Sequence, residues 1–167
     1  MIVNTPQQTF RAALGQFFVK ETSTENLAAA RSLIERSETA GADLLVLPEC
    51  IIARKLGMPE WGQKQAEPLD GPFVSGLREA TRGRRVTVVC TVQAKIANES
   101  RYANDLLVIQ NGELRLTYQK IHLYDAFRGK ESSYAAPGDV LPQVLQIGPF
   151  KVGFLTCYDV RFPEMTR

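Results

Sequence analysis

The chain has 167 residues, 44% of them hydrophobic and 23% charged, which suits one globular domain. A net charge of +2, with no basic block interleaved with aromatics, gives no ground for a nucleic-acid or anionic-membrane partner. The apolar runs are far too short for a membrane span, and the opening MIVNTPQQTFR has neither a basic leader nor an apolar core, so a cytoplasmic setting with reduced thiols is expected.

Residues 11–17 read as a first strand. Thr22, Ser23 and Thr24 are N-cap candidates, and Glu25 falls in the first turn of the helix they would open. Leu27, Ala28, Ala30, Leu33 and Ile34 recur at helical spacing, which predicts a helix over 24–39 closed by Gly41. Residues 43–48, DLLVLP, are a strand covered on both faces and stopped by Pro48. Strand, helix, strand is the start of an α/β fold. Glu49 comes directly after. A carboxylate at the end of a buried strand is either a solvated loop acid or a site residue.

Residues 50–71 form a long connection, and loops of that length are often lids or binding loops. A helix over 72–83 follows, opened by Pro72 and closed by Gly83. Residues 86–92, VTVVCTV, are a buried strand that makes Cys90 a core residue, and residues 94–103 read as a turn. Strands over 105–110 and 114–118 flank Asn111-Gly112, a strong hairpin signal. If the second strand continues, Lys120 and His122 lie at alternate positions on one face. Residues 125–139 read as an ordered loop. Residues 144–147 and 151–156 pair across Gly148-Pro149.

The last apolar run delivers Cys157 to a charged turn. A helix starting near Phe162-Pro163-Glu164 would direct its N–H groups and dipole toward the sulfur and favour the thiolate. Taken alone, such a cysteine reads first as a buried core thiol closing a strand, and the residues upstream reverse that reading. The three cysteines and the single histidine, His122, lack zinc-site spacing, and no Cys-x-x-Cys suggests thiol-disulfide chemistry. Together, Glu49, Lys120 and Cys157 follow three separate strands and supply a base, a cation and a nucleophile. Such a set can form a thioester from an amide, with the oxyanion held by the ammonium and the N–H of Tyr158.

The blocks LLVLPE, YQKIHLYD and GFLTCYDVRFPE resemble, in order, the three signatures of the nitrilase, or carbon-nitrogen hydrolase, superfamily. The resemblance runs from Phe10 to Arg167. It implies an α-β-β-α sandwich of two sheets, no cofactor and no metal, with Glu49 as base, Lys120 as oxyanion stabiliser and Cys157 as nucleophile. It also implies that Glu131, in the pair Glu131-Ser132, positions the lysine and the amide. Within the superfamily the chain is most similar to small amidases of the deaminated-glutathione and ω-amidase type, whose substrates bear a carboxylate. Arg54, Lys55, Arg128 and Lys130 are the loop cations from which a partner for it would come, Arg128 and Lys130 foremost. Arg161 and Glu164 are expected to brace the turn after Cys157, and His122 to be structural. Members of the superfamily continue for roughly a hundred residues past this point and commonly form homo-oligomers, so the expectation is the N-terminal portion of one hydrolase domain. It is either part of an active amidase or a non-catalytic remnant that keeps the site residues.

Overall fold

In a computed structural model, which describes residues 9–127 and 129–167, the chain folds as mixed α/β. Five strands run in the order β1 (Ala12–Leu14), β2 (Leu44–Val46), β3 (Thr87–Lys95), β4 (Tyr102–Gln110) and β5 (Glu113–Gln119). The first three are mutually parallel, and the next two return antiparallel. A two-residue strand, β6 (Ala135–Ala136), joins the start of β4 in parallel within the segment expected to be a loop.

Helices α1 (Ser23–Thr39) and α3 (Pro72–Thr81) cover one face of this sheet. Ala30 and Ile34 of α1 and Phe73, Val74 and Leu77 of α3 pack on Leu45, Val88, Cys90, Val92 and Leu107. The opposite face carries Leu44, Val89, Leu106, Val108 and Leu116. It is covered by the hairpin β7 (Leu145–Ile147) and β8 (Phe150–Val152), with Phe154 beyond it. This is the period-2 alternation of strands apolar on both faces.

Local chemistry explains the helix and hairpin ends. The Thr22 hydroxyl accepts from the Glu25 N–H at 3.4 Å and donates to its carboxylate at 2.6 Å, so Thr22 is the cap and α1 starts one residue before the expected position. Ala40 closes α1, and Gly41 follows at φ +67°, the left-handed position beyond a helix end. Asn111 and Gly112 both have positive φ, 48° and 81°, as a tight β4–β5 hairpin needs.

Several expectations are corrected. β1 stops at Leu14: the Gly15 N–H still bonds to Val46, but a Cβ at Gly15 would lie 2.8 Å from the Leu47 side chain, so the chain turns away there. The 50–71 connection is tightly built. It contains the short helix α2 (Trp61–Gln65) and a bridge between Glu67 and Ala94. β3 and β4 run through residues 93–95 and 102–104, leaving only 96–101 as the turn, because polar residues there face a site rather than solvent. β5 ends at Gln119, so Lys120 and His122 do not share a strand face. β8 ends at Val152, since among the described residues no strand borders 153–156. After Cys157 come two 3₁₀ turns, Cys157–Arg161 and Pro163–Thr166, in place of a helix at Phe162.

Candidate active site

Glu49, Lys120, Glu131 and Cys157 line one cavity of about 260 Å³. Each arrives by a different route. Glu49 lies three residues past β2, after Leu47 has made its last bond to Val89 (2.8 Å). Lys120 leaves β5 with its backbone still held: its N–H donates to the Asn104 carbonyl at 2.9 Å and its carbonyl accepts from Gly138 at 2.8 Å. Gly138 is required, because a Cβ there would lie 2.3 Å from the Gln119 carbonyl oxygen. Glu131 begins a 3₁₀ turn, Glu131–Ser133, and accepts the Tyr124 N–H at 2.7 Å.

These three side chains form one ionic cluster. The Lys120 ammonium, 2% exposed, lies 3.1 Å from Glu49 Oε1 and 3.1 and 3.0 Å from the two oxygens of Glu131. Burial alone would favour a neutral amine. The charge of Glu49, then the hydrogen bond and charge of Glu131, outweigh it and hold the Lys120 pKa up at about 12. The lysine is therefore a fixed cation over the whole neutral range.

Cys157 behaves differently from the expectation of a dipole-stabilised thiolate. Its thiol is pushed up from the ordinary cysteine value, first by burial and then by the negative charge of Glu49, with Lys120 opposing. The resting form is a thiol beside a carboxylate, which is the arrangement for transfer to a general base. Cys157 has φ +48°, a strained position for a residue with a Cβ, and opens the 3₁₀ turn. The first bond of that turn runs from the Asp159 N–H to Thr156 at 3.0 Å. The Tyr158 N–H lies ahead of it, outside the turn's own bonding.

Asp159, not Arg161 or Glu164, braces this turn. Its carboxylate, 0% exposed, accepts from Tyr118 Oη (2.8 Å), from the His122 N–H (2.9 Å) and from the Thr156 N–H (3.3 Å), with His122 Nδ1 at 2.9 Å. The His122 ring stacks on Phe162 at 3.5 Å, as a structural histidine would. Arg161 and Glu164 are exposed and make no hydrogen bond or ion pair among the described residues. The spacing Thr156-x-x-Asp159 is a capping-box pattern, and it was the available signal for Asp159.

Asn104 was also missed. Fully buried in β4, it donates from Nδ2 to Glu49 Oε1 (2.8 Å) and to Glu131 Oε1 (3.4 Å). Nothing in the sequence marks it beyond a polar residue in an apolar strand.

Of the loop cations, Arg54 and Lys55 line the cavity. Lys55 is paired with Glu21 at 2.7 Å and lies over Trp61. Arg54 has no acidic partner among the described residues and also borders a second depression of about 630 Å³. Lys130 is exposed and does not line the cavity, so the structure does not bring it to the site. Arg128 lies outside the described residues.

Comparison with known proteins gives the family and the fold. Residues 11–167 match the family model described as carbon-nitrogen hydrolase. The chain is 34% identical over 153 residues to the deaminated glutathione amidase of Escherichia coli O157:H7, covering 92% of this chain and 58% of that protein. Identity to the omega-amidase NIT2 of Xenopus tropicalis is 29%, over 95% of this chain and 58% of the relative. The chain thus spans little more than half the length of these relatives. A CN-hydrolase superfamily protein from Xanthomonas campestris, with an arsenic adduct in its active site, superposes with a TM-score of 0.81 at 25% identity, covering 96% of this chain and 58% of that one. A variant of the Nesterenkonia sp. AN1 amidase, carrying acrylamide added at its active-site cysteine, gives 0.80 at 28%, over 94% of this chain and 61% of that one.

Proposed function

The chain belongs to the carbon-nitrogen hydrolase family, and from that premise we propose that it carries the site of an amidase for a small carboxylate-bearing amide. The observation that carries the proposal is the buried lysine held between two carboxylates in the cavity that Cys157 borders.

Glu49 takes the proton from the Cys157 thiol as Sγ bonds to the amide carbon. The carbonyl π pair moves to oxygen, where the Lys120 ammonium and the Tyr158 N–H stabilise it. As the tetrahedral species collapses, the C–N bond breaks and Glu49 returns the proton to the departing amine. Glu49 then takes a proton from water, whose oxygen attacks the thioester. Acid is released, and the proton restores the Cys157 thiol. Glu131 holds Lys120 in line throughout. Water and amide become acid and amine, with no cofactor in the sequence of steps.

The carboxylate in the substrate is supported by the names of the relatives and by Arg54. The Glu49–Lys120–Glu131 cluster is net negative, Lys55 is neutralised by Glu21, and among the described residues Arg54 is the cavity cation left to receive an anion. Its position is fixed from behind. Ile51, Ile52 and Ala53 are fully buried, and the Arg54 N–H bonds to Lys20 at 2.8 Å. Gln93 holds the carbonyls of Cys50 and Ala53 at 3.2 and 2.9 Å.

A second reading, a chain that keeps the site residues without turnover, is favoured by the unladdered stretch 153–156 and by exposed Val140, Leu141 and Val144 nearby in the chain. Hydrolysis of 2-oxoglutaramate and deaminated glutathione, with Cys157→Ala as control, separates the two. The amidase reading expects amine release that disappears in the control. It also expects Arg54→Ala to raise KM about tenfold or more, the scale of a lost charge-assisted hydrogen bond. No release, or release that survives Cys157→Ala, contradicts it.

A further inference from the structure

We infer that Asn104 is the positioning residue that commits one oxygen of Glu49 to the lysine cluster and leaves the other as the base. The inference rests on the reading of Glu49 as general base. Glu49 Oε1 accepts from both Asn104 Nδ2 (2.8 Å) and Lys120 Nζ (3.1 Å), whereas Oε2 has no partner among the described residues. Proton transfer from Cys157 therefore goes to Oε2.

The orientation of the Asn104 amide is dictated by the two carboxylates, since only its Nδ2 can donate to them. The consequence is that Asn104 Oδ1 is buried with no partner, one of three such side-chain atoms among the described residues. An amide meeting ordinary structural needs would satisfy its oxygen as well. Here the donors are spent on the cluster and the acceptor is left unmade. The same residue receives the Lys120 N–H on its backbone carbonyl at 2.9 Å and pairs across the sheet with Gln93. Gln93 in turn holds the backbone just after Glu49: its Oε1 accepts the Ile52 N–H at 3.1 Å and its Nε2 donates to Cys50. Asn104 thus contacts the base, the lysine and the second glutamate from one rigid strand.

A hydrogen bond donated to a carboxylate favours its charged form. The charged and titratable groups that line the cavity with Glu49 are Lys120, Glu131, Cys157, Cys50, Arg54, Lys55, Tyr102, Tyr124 and Tyr134. Removing the donor should therefore shift the acid limb of Cys157 reactivity to higher pH.

The experiment is the pH profile of Cys157 alkylation by iodoacetamide, read by peptide mass, which needs no turnover. It compares the chain with Asn104→Leu, Asn104→Asp, Asn104→Ser and Glu49→Gln. The acid limb should move up by about one pH unit in Asn104→Leu, further in Asn104→Asp, and less in Asn104→Ser, which keeps a donor. In Glu49→Gln it should move the other way, to lower pH, because the charge that helps hold the thiol up is gone. A parental acid limb in any cooperatively melting Leu or Asp variant overturns the inference, as does failure of all three variants to fold, which would make the role structural. An acid limb in Glu49→Gln at the parental pH or above instead removes the reading of Glu49 as base.

Discussion

The two sides of the cavity are built differently. Glu49, Lys120 and Glu131 are tied to the central sheet. β3 and β4 are nine residues each, Asn104 and Gln93 pair across them, and every charge in the cluster has a partner. Cys157 sits five residues past the end of its strand, at positive φ, on a 3₁₀ turn held by the buried Asp159. The charges are preorganised by a ladder, and the proposed nucleophile is mounted on a strained turn beside them. The two cysteines of the cavity repeat the contrast. Cys50 also has positive φ, but burial, followed by the charges of Glu49 and Glu131, pushes its thiol up to about 12. Cys157 is exposed and has Lys120 working against the same carboxylate. Proximity to the carboxylates is common to both. So is the opposing charge of Lys120, and access distinguishes the proposed nucleophile.

Glu49→Gln breaks the comparison most severely. Loss of a general base should lower turnover by about 10²–10⁴-fold. The Cys157 thiol should nevertheless ionise at lower pH than in the parent, because the charge that helps hold it up is gone. Thiolate absorbance against pH checks the second effect, and an unchanged or raised titration midpoint would contradict it.

Lys120→Met tests the preorganised side. Two carboxylates would then face each other in a buried place without their cation. Because Glu49 is 34% exposed, the cost should fall at the lower end for buried pairs, about 3 kcal/mol. For a chain of this length that corresponds to a fall of about 6–12 °C in melting temperature. Protonating either carboxylate relieves the repulsion, so the deficit should shrink as pH falls. A melt matching the parent at neutral pH would mean that the cluster is not held as described. The smallest effect belongs to Cys50→Ser, which should change turnover by less than about threefold, roughly 0.6 kcal/mol in the barrier. A loss comparable to that of Cys157→Ala would erase the distinction between the two thiols.

Much of the framework was legible because its signals are local. Thr22 with Glu25, the periodic apolar residues of α1 and α3, and Asn111-Gly112 each fix a backbone conformation within a few residues. Glu49, Lys120, Glu131 and Cys157 were legible as blocks, through the residues around them. What failed was non-local. Ala94, Lys95, Tyr102 and Ala103 look like turn residues, yet they lie in long strands, with Ala94, Tyr102 and Ala103 buried by contacts from other parts of the chain. Residues 153–156 look like the continuation of a strand, but ladders need a neighbour, and Phe154 reaches the core without one. The dipole argument for Cys157 assumed a helix at Phe162. The structure replaces it with a turn held from across the site by Tyr118 and His122, two residues before and after Lys120.

The central claim is that Cys157, and not Cys50, carries the acyl group. The direct measurement is acid quench of the chain during reaction with 2-oxoglutaramate, followed by intact-mass and peptide mapping. The account predicts an acyl adduct, labile to hydroxylamine, on the peptide containing Cys157 and absent in Cys157→Ala. Ammonia release with the adduct on Cys50, or with turnover undiminished in Cys157→Ala, would contradict it.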